Sequence, residues 1–308
     1  MAWKIDLRKA YDTVCWDFLF SMLLELKFPL KFIALIKMCV SSTTFSILIN
    51  GEMVDYFEGK RRMRQGDPLS PFLFTIVMEY LSQLLGKLDR KAGFYHHPKC
   101  HKIELKHILF ADDLMLFSSG RPSSILTIKT VINNFLKSLG LAINLSKSQI
   151  FIGGMSAEKR SWVEQTLGTA VTRLPIRYLG IPINSKSICS RDCTTLIDII
   201  TSRIHAGSTR FLSRAGRRLL IQSVLHSIVS FWARMCILPK KFLHAVASIC
   251  TRFFWKGNTS GRGNHLVCWK DVCNGKAEEG LGFKDLIIMN DAVRLNQLWG
   301  LSNGRRSI

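Results

Sequence analysis

Two adjacent carboxylates stand between two apolar runs near the middle of the chain, in the segment Phe110-Ala111-Asp112-Asp113. The runs from Ile108 to Phe110 and from Leu114 to Phe117 are typical of short buried strands. A sheet accommodates a charged pair between such strands only at a turn that water or a metal can reach. Because neighbouring carboxylates repel, either a retained proton or a bound divalent cation has to relieve the repulsion. A solvated Asp-Asp turn is the alternative, and these two residues alone favour it.

A third carboxylate stands in a matching setting near the start of the chain. The segment Trp3-Lys4-Ile5-Asp6 is typical of a short strand that ends in an acid. A hard cation such as Mg²⁺ binds carboxylate oxygens and keeps coordination positions open for water and phosphate. Asp6, Asp112 and Asp113 together therefore predict a clamp for two cations about 3.5–4 Å apart, an arrangement that serves in-line nucleotidyl transfer or phosphodiester hydrolysis.

A turn-rich segment lies between these acids, and it reads Arg64-Gln65-Gly66-Asp67-Pro68-Leu69-Ser70-Pro71. It opens an amphipathic stretch that runs to about Leu88. Gly66 permits close backbone approach, and Pro71 suits the first turn of a helix. Beside a metal site, such a loop can hold a sugar and a base. A plain loop with a helix cap is the alternative interpretation.

Five short motifs occur along the chain in a specific order. They are Asp6 with Tyr11 and Asp12, Arg64 to Pro71, Phe110 to Asp113, Gly140 to Asn144 with Lys147, and Tyr178 to Pro182. Together they resemble the palm motifs of reverse transcriptases, and most of all those of plant LINE-type (non-LTR) retrotransposons. The likeness continues through Leu212 to Arg217 and Gly280 to Phe283 as far as Asn290, so it covers nearly the whole chain.

The resemblance implies an RNA-directed DNA polymerase that works by two-metal nucleotidyl transfer with two Mg²⁺ ions, for which Mn²⁺ could substitute. Asp6 and Asp112 would be the principal metal ligands, and Asp113 beside them would complete the acidic cluster. Lys147 would protonate the leaving pyrophosphate, with an ordinary surface lysine as the alternative. The implied partners are an RNA template, a DNA primer, the RNA–DNA hybrid and deoxynucleoside triphosphates.

The same resemblance implies residues for the incoming nucleotide. Tyr11 would be an aromatic steric gate, because a bulky ring excludes an added 2′-hydroxyl by clash where a merely hydrophobic pocket does so weakly. Arg64, Gln65 and Gly66 would line the nucleotide site.

The charge of the chain predicts a polyanionic partner. Forty-three Lys and Arg stand against 22 Asp and Glu, for a formal net charge of +21. The segment from Ile199 to Lys270 contains no acidic residue at all. We expect it to contact nucleic-acid phosphates in a salt-dependent way, with a solvated basic face as the alternative. The residues predicted to bind nucleic acid are Arg203, Arg210, Arg214, Arg217, Arg218, Lys240 and Lys241.

The order of elements predicts an α+β fold, with a polymerase palm of antiparallel sheet and packed helices followed by a helical thumb. The predicted domains are a palm over residues 1–185, a basic thumb over 186–260 and a connector over 261–308. A hairpin is expected near Phe94 to Leu105. An apolar stripe in the thumb is expected to pack as core, and it consists of Leu219, Leu220, Val224, Ile228 and Phe231.

Other features of the sequence exclude some classes of protein. It has no run of 18 or more apolar residues, so we expect no membrane span. It also starts without the apolar region of a signal peptide. Nine cysteines without regular spacing favour free thiols in a reducing, intracellular compartment over a disulfide framework or a zinc site, and the resemblance suggests the nucleus.

The chain also departs from the family pattern. It opens almost on Asp6, so we expect the fingers and endonuclease of the relatives to be missing. Arg62 and Glu279 replace glycines of the usual motifs. A non-catalytic, nucleic-acid-binding relic of a decayed element is therefore the rival hypothesis. A viral RNA-dependent RNA polymerase is disfavoured by Tyr11, and a group II intron maturase by the Arg64 to Pro71 motif and the long basic thumb.

Overall fold

The computed structural model describes residues 1–42, 44–59, 63–64, 66–90, 92–184, 187–205, 212–257 and 267–304. The chain divides into two units, Met1–Arg173 (unit 1) and Leu174–Ile308 (unit 2). The predicted α+β class is confirmed, because strands and helices alternate through unit 1 and helices dominate unit 2. The finer division into three domains, at residues 185 and 260, stays a prediction.

Unit 1 is built from eight strands and six α-helices in its described residues. In chain order they are β1 (Ala2–Arg8), α1 (Ala10–Thr13), α2 (Trp16–Glu25), α3 (Leu30–Ser41), β2 (Thr44–Ile49), β3 (Glu52–Glu58), α4 (Ser70–Gly86), β4 (His107–Phe110), β5 (Asp113–Phe117), α5 (Pro122–Leu139), β6 (Ala142–Ile143), β7 (Gln149–Phe151), α6 (Ala157–Leu167) and β8 (Val171–Thr172). The main sheet has the order β4-β5-β1-β7-β8, with β6 also paired to β1. Strands β2 and β3 form a separate hairpin.

Strand β1 lies at the centre of the main sheet and divides its residues between two faces. Trp3, Ile5 and Leu7 are buried, whereas Lys4 and Asp6 alternate with them on the other face. This period of two follows from the pleat of a strand. The apolar face belongs to the hydrophobic core of unit 1, so Asp6 is left on the face that the core does not cover.

Helices α4 and α5 contribute much of the core of unit 1. In α4, Phe74 and Val77 are fully buried, and in α5 Ile125 is as well. Each such side chain contributes about 1.5–3 kcal/mol through burial of its apolar surface. Helix α5 ends at Gly140, whose φ of 72° is the left-handed conformation that suits a helix C-terminus.

The hairpin expected near Phe94 to Leu105 is wrong. The described residues of that stretch form turns and a single 3₁₀ turn at Pro98–Cys100. Proline lacks an amide hydrogen and fixes φ, so it starts this turn more readily than it extends a strand. The 3₁₀ turn is closed by the Cys100 N–H, which donates to the His97 carbonyl at 2.8 Å.

Unit 2 begins with a short hairpin and continues as helices. Its elements are β9 (Ile176–Tyr178), β10 (Ile181–Ile183), α7 (Thr194–His205), α8 (Arg214–Leu220), a π-helical turn (Ile221–Leu225), α9 (His226–Met235), α10 (Lys240–Lys256), α11 (Trp269–Cys273), a 3₁₀ turn (Lys276–Glu278) and α12 (Leu286–Ser302). Helices α7, α9 and α10 share a second hydrophobic core with the start of α12. Among the described residues, no helix is both long and apolar enough to cross a bilayer.

The apolar stripe predicted in unit 2 is partly wrong. Leu219 and Phe231 are 67% and 50% exposed, whereas Ile221, Leu225 and Val229 are fully buried. The buried face therefore lies one residue further along the chain than expected. Leu220, Val224 and Ile228 of the predicted stripe are half-buried and still pack against the core of unit 2.

Candidate active site

The first predicted acid lies beside the Asp-Asp hairpin. Strands β1 and β5 pair antiparallel, and their register places Asp6 directly opposite Asp113. Residues that face each other across such a pair have Cβ atoms about 4.5–5.5 Å apart. The structure thus brings together two carboxylates that are more than a hundred positions apart in the sequence.

The other acid of the pair lies in the turn of the β4–β5 hairpin. Phe110 and Asp113 close the ladder, so Ala111 and Asp112 form a two-residue loop. Ala111 has a φ of 50°, a left-handed conformation that costs an L-residue about 1–2 kcal/mol. Asp112 is half-buried. Strained backbone residues often occur at functional sites, and the strained Ala111 lies next to the candidate acid Asp112.

A lysine that sequence reasoning missed contacts this cluster. The Lys4 ammonium lies 3.5 Å from a carboxylate oxygen of Asp113, and both side chains are about a fifth to a quarter exposed. Lys4 precedes Asp6 by two positions and so shares its face of β1. The alternation of polar and apolar residues in β1 could have placed Lys4 on this face. Its charge relieves part of the repulsion between the acids.

The backbone of Asp6 is held by a loop that follows β6. The Asn144 N–H donates to the Asp6 carbonyl at 2.8 Å, and the Asp6 N–H donates to the Ser148 hydroxyl oxygen at 3.1 Å. The Ser148 hydroxyl in turn donates to the Asn144 carbonyl at 2.8 Å. Asn144 and Ser148 were not predicted as site residues, and together they fix the end of β1 from the side opposite the hairpin.

Lys147 lies on this same loop, and its side chain is exposed. Its N–H donates to the Asn144 carbonyl at 3.2 Å. The loop that holds Asp6 therefore also carries the lysine predicted to act on the leaving group.

Tyr11 lies on α1, immediately after β1. Its ring stacks on Phe74 of α4, with centroids 4.6 Å apart and an interplanar angle of 26°. Burial, and secondarily the carboxylate of Asp112, raise the pKa of the Tyr11 phenol. Tyr11 is therefore electrostatically coupled to the hairpin turn, and its ring is held in place by packing.

The turn-rich segment before α4 reaches Tyr11 through the backbone. The Met63 N–H donates to the Tyr11 carbonyl at 2.8 Å. Beyond it, Gly66 has a φ of 91°, and a Cβ placed there would have no atom within 4 Å. Arg64 is exposed. Gln65, which was also predicted to line the nucleotide site, and Arg62 lie outside the described residues.

The carboxylate oxygens of the acids suit a hard cation, but the three side chains are not positioned to bind one ion together. Among the described residues, no group of three His, Cys, Asp or Glu side chains is arranged to hold a metal ion. Asp113 is engaged by Lys4, which leaves Asp6 and Asp112 as the carboxylates best suited to Mg²⁺. The predicted set of three metal ligands stays a prediction.

All nine cysteines are free, and two of them, Cys193 and Cys250, are buried. Burial raises the pKa of Cys193 and of Cys250 to about 12. Such thiols stay protonated at neutral pH, whereas a zinc ligand has to be a thiolate.

The predicted nucleic-acid-binding residues of unit 2 differ in their surroundings. Arg217 donates to the carbonyls of Phe254 and Trp255 at 3.3 and 3.5 Å, and so caps the end of α10. Arg214 lies over the Trp255 ring, 5.5 Å from its centroid. Residues with exposed side chains are Arg203, Arg214, Lys240 and Lys241, while Arg218 is half-buried. Arg210 lies outside the described residues.

Known proteins to which this chain is similar include a telomerase, a retrotransposon polyprotein and a plant mitochondrial protein. A telomerase from Candida tropicalis, solved with a fragment of telomeric RNA, is 14% identical and covers 84% of this chain and 44% of its own, with a TM-score of 0.44. The Pol polyprotein of the R2DM retrotransposable element of Drosophila melanogaster is 29% identical over 188 residues, 58% of this chain and 17% of that protein. An uncharacterized mitochondrial protein of Arabidopsis thaliana is 38% identical over 72 residues, 21% of this chain and 55% of that protein.

The chain spans about a fifth of the length of the first retrotransposon relatives that it matches. These relatives support a reverse transcriptase of the non-LTR type. The family model described as reverse transcriptase (RNA-dependent DNA polymerase) matches residues 1–183, which is more than half of the 308 residues. This chain belongs to the reverse transcriptase family.

Proposed function

We propose that this chain is the polymerase region of a plant LINE-type retrotransposon protein, and that it copies an RNA template into DNA at the Asp6 and Asp112 cluster. The reverse transcriptase domain itself follows from the family, whose general mechanism is two-metal nucleotidyl transfer. The observation that carries the proposal is the register of β1 and β5, which sets Asp6 opposite Asp113 at the base of the hairpin turn.

Asp6 and Asp112 are the residues proposed to hold the divalent cations that reverse transcriptases generally use. Two Mg²⁺ ions bound there would stabilise both the attacking and the leaving oxygens of the transfer. Asp113 would complete the negative cluster while its contact with Lys4 limits the repulsion. Asn144 and Ser148 would keep Asp6 in register by holding both its N–H and its carbonyl.

Tyr11 is proposed as the residue that excludes ribonucleotides. Stacking on Phe74 and the backbone bond from Met63 hold the ring in one position, and a rigid ring rejects an added hydroxyl better than a mobile one. A tyrosine is neutral at physiological pH, and burial moves the pKa of the Tyr11 phenol further upward. A neutral phenol adds no charge that would repel the triphosphate of the incoming nucleotide.

Arg64, Gln65 and Gly66 are proposed to line the nucleotide site beside Tyr11. The open space around Gly66 leaves room for a sugar and base close to the backbone. Lys147 is proposed to donate a proton to the pyrophosphate as it leaves, because its exposed ammonium lies on the loop that holds Asp6.

The basic residues of unit 2 are proposed to bind the RNA–DNA hybrid through its phosphates. Arg203, Arg214, Lys240 and Lys241 are exposed and lie within a stretch of sequence without acids. Phosphate contacts carry no sequence information, so binding would be salt-dependent and tolerant of sequence. Arg217 would contribute through the position of α10, since it caps that helix.

One observation favours the rival function, a non-catalytic nucleic-acid-binding protein. The described acids do not converge as a group of three metal ligands. A bound cation could draw the carboxylates together, whereas a decayed enzyme would keep the motif by descent alone.

Primer extension by the purified chain separates the two functions. With Mg²⁺, an RNA template, a DNA primer and deoxynucleotides, we expect extension that Asp112→Asn lowers about a thousandfold, because several kcal/mol of charge stabilisation would be lost. Asp271→Asn, an exposed acid of unit 2, is the matched control and should leave extension unchanged. Equal extension by Asp112→Asn and the unsubstituted chain would contradict the assignment.

A further inference from the structure

Unit 2 contains a pocket that the polymerase chemistry does not use. It has a volume of about 590 Å³ and lies between α8, the π-helical turn, the end of α10 and the segment before α12. Its walls include Arg214, Arg218, Leu219, Trp255 and Leu281. Sites that hold small organic molecules are typically about 300–1,000 Å³ in volume, so the space suits a ligand of nucleotide size.

The lining of the pocket combines an aromatic wall with positive charge. Trp255 packs edge to face on Phe254, with ring centroids 5.0 Å apart, and Arg214 lies over its ring. Arg214 and Arg218 are one helical turn apart and both reach the pocket. None of the lining residues is acidic. A ligand that complements such a wall is planar and apolar at one end and anionic at the other.

The guanidinium of Arg218 is incompletely satisfied by the protein. Its Nε atom is buried and has no hydrogen-bond partner among the described residues. Taking part of a guanidinium out of water costs free energy unless an anion or acceptor compensates. The Nε atom of the neighbouring Arg217 is buried and unpartnered in the same way, but its Nη1 atom donates to the carbonyls at the end of α10. An anionic ligand in the pocket would supply the hydrogen-bond acceptor that the Arg218 Nε atom lacks among the described residues.

We propose that this pocket binds one unpaired nucleotide of a single-stranded nucleic acid, with the base packed against Trp255 and the phosphate paired with Arg218 and Arg214. Every base has a face that stacks on an aromatic ring, so binding would be tolerant of sequence. The surrounding stretch without acids favours a nucleic-acid strand over an acidic peptide, because further phosphates would find basic groups on either side.

This inference deepens the proposed function, since it assigns part of the basic surface of unit 2 to unpaired strand instead of hybrid. The full chain would be titrated with labelled oligo-dT, with an oligonucleotide of the same length whose central sites are abasic, and with a blunt RNA–DNA hybrid. We expect Trp255→Leu to lower the affinity for oligo-dT about tenfold. The same variant should change the affinity for the abasic strand and for the hybrid by less than about twofold. Trp299→Leu, at an exposed tryptophan of α12, is the matched control and should change none of them.

If Trp255→Leu lost equal affinity for oligo-dT and for the abasic strand, or lost none for either, the proposal would be overturned. Because Trp255 is partly buried and its loss could unfold the unit, a second variant changes only charge. Arg218→Gln should reduce the slope of log affinity against log salt for oligo-dT by about 1, which corresponds to the loss of one phosphate contact. An unchanged salt dependence would also count against the pocket.

Photocrosslinking gives a readout that does not depend on substitution. An oligonucleotide with a single 5-iodouracil should crosslink to the peptide that contains Trp255, and crosslinks mapped only to other peptides would overturn the proposal. Displacement of oligo-dT by a glutamate-rich peptide more readily than by unlabelled oligo-dT would overturn it in favour of a protein partner. If hybrid binding and primer extension persist while Trp255→Leu changes nothing, the pocket proposal fails and the proposed function stands.

Discussion

The two units position their charged residues by different means. In unit 1, the acids are placed by the register of β1 and β5, and a shift of one residue would turn Asp6 to the buried face. In unit 2, the basic residues lie on helices. A shift of one residue along a helix moves a side chain by about 100° around the axis, whereas on a strand it moves the side chain to the opposite face. Strand register therefore specifies a site more strictly than helix phase does.

The charges themselves also differ between the two regions. The acids of unit 1 converge at a turn, and Lys4 offsets part of their repulsion. The segment from Ile199 to Lys270 instead spreads its basic residues over several helices and contains no acid. A concentrated negative site suits cations and chemistry, whereas a dispersed positive surface suits a long polyanion.

The largest expected effect concerns the register of unit 1. Asp6→Asn keeps the size of the side chain and removes its charge, so we expect primer extension to fall about a thousandfold through loss of charge stabilisation. Asp55→Asn, at an exposed acid of β3, is the control. Comparable activity of Asp6→Asn and Asp55→Asn would show that β1 does not carry the site.

The next effect tests the helix phase of unit 2 with a pair of leucines. Leu225 is fully buried and Leu219 is 67% exposed, although the sequence pattern placed Leu219 in the core. We expect Leu225→Ala to lower the free energy of unfolding by about 2–5 kcal/mol and Leu219→Ala by less than about 0.5 kcal/mol. Urea unfolding followed by circular dichroism would measure both free energies, and a larger loss for Leu219→Ala than for Leu225→Ala would refute this assignment of the buried face.

Much of unit 1 could be predicted because its signals are local. The alternation in β1 and the acids between apolar runs each involve only a few neighbouring residues. The same is true of the dipeptide Asn50-Gly51, which predicts a tight hairpin between two strands. In the structure, Asn50 and Gly51 have φ values of 51° and 90°, which is the conformation that Asn-Gly favours in a tight hairpin. Apolar spacing predicts helices over about 17–26, 29–40 and 123–139, and the structure has them at Trp16–Glu25, Leu30–Ser41 and Pro122–Leu139.

The remaining features depend on long-range contacts or on local exceptions. The bond between Asp6 and Ser148 spans 142 positions, so no window of sequence could have shown it. Near Phe94, apolar and polar residues suggested strands, but Pro98 starts a turn instead. In unit 2, neighbouring faces of α9 are both apolar, so the sequence pattern alone could not show which one lies deepest in the core.

A buried histidine gives the stability of unit 2 a dependence on pH. Burial, with a smaller contribution from Lys284, lowers the pKa of His226 to about 4. The unfolded chain takes up this proton near pH 6.5, so the stability that the neutral form provides is full above that pH and is lost as the pH falls towards 4. We expect a loss of about 2 kcal/mol between pH 7 and pH 5, measured by urea unfolding. His226→Phe should lack this part of the pH dependence, and an unchanged profile would contradict the burial of a neutral ring.

The smallest expected effect concerns selectivity at the nucleotide site. Tyr11→Ala removes the ring that Phe74 holds in place, so ribonucleotides should be incorporated about tenfold more readily relative to deoxynucleotides, a change of about 1.4 kcal/mol in discrimination. Tyr11→Phe keeps the ring and should keep the selectivity, which separates steric exclusion from any role of the hydroxyl. Single-nucleotide incorporation with matched ribo- and deoxynucleotides would measure the ratio. If Tyr11→Phe lost as much selectivity as Tyr11→Ala, the phenol coupled to Asp112 would carry the discrimination, and the site would depend on electrostatics at the turn as well as on the packing of α1 against α4.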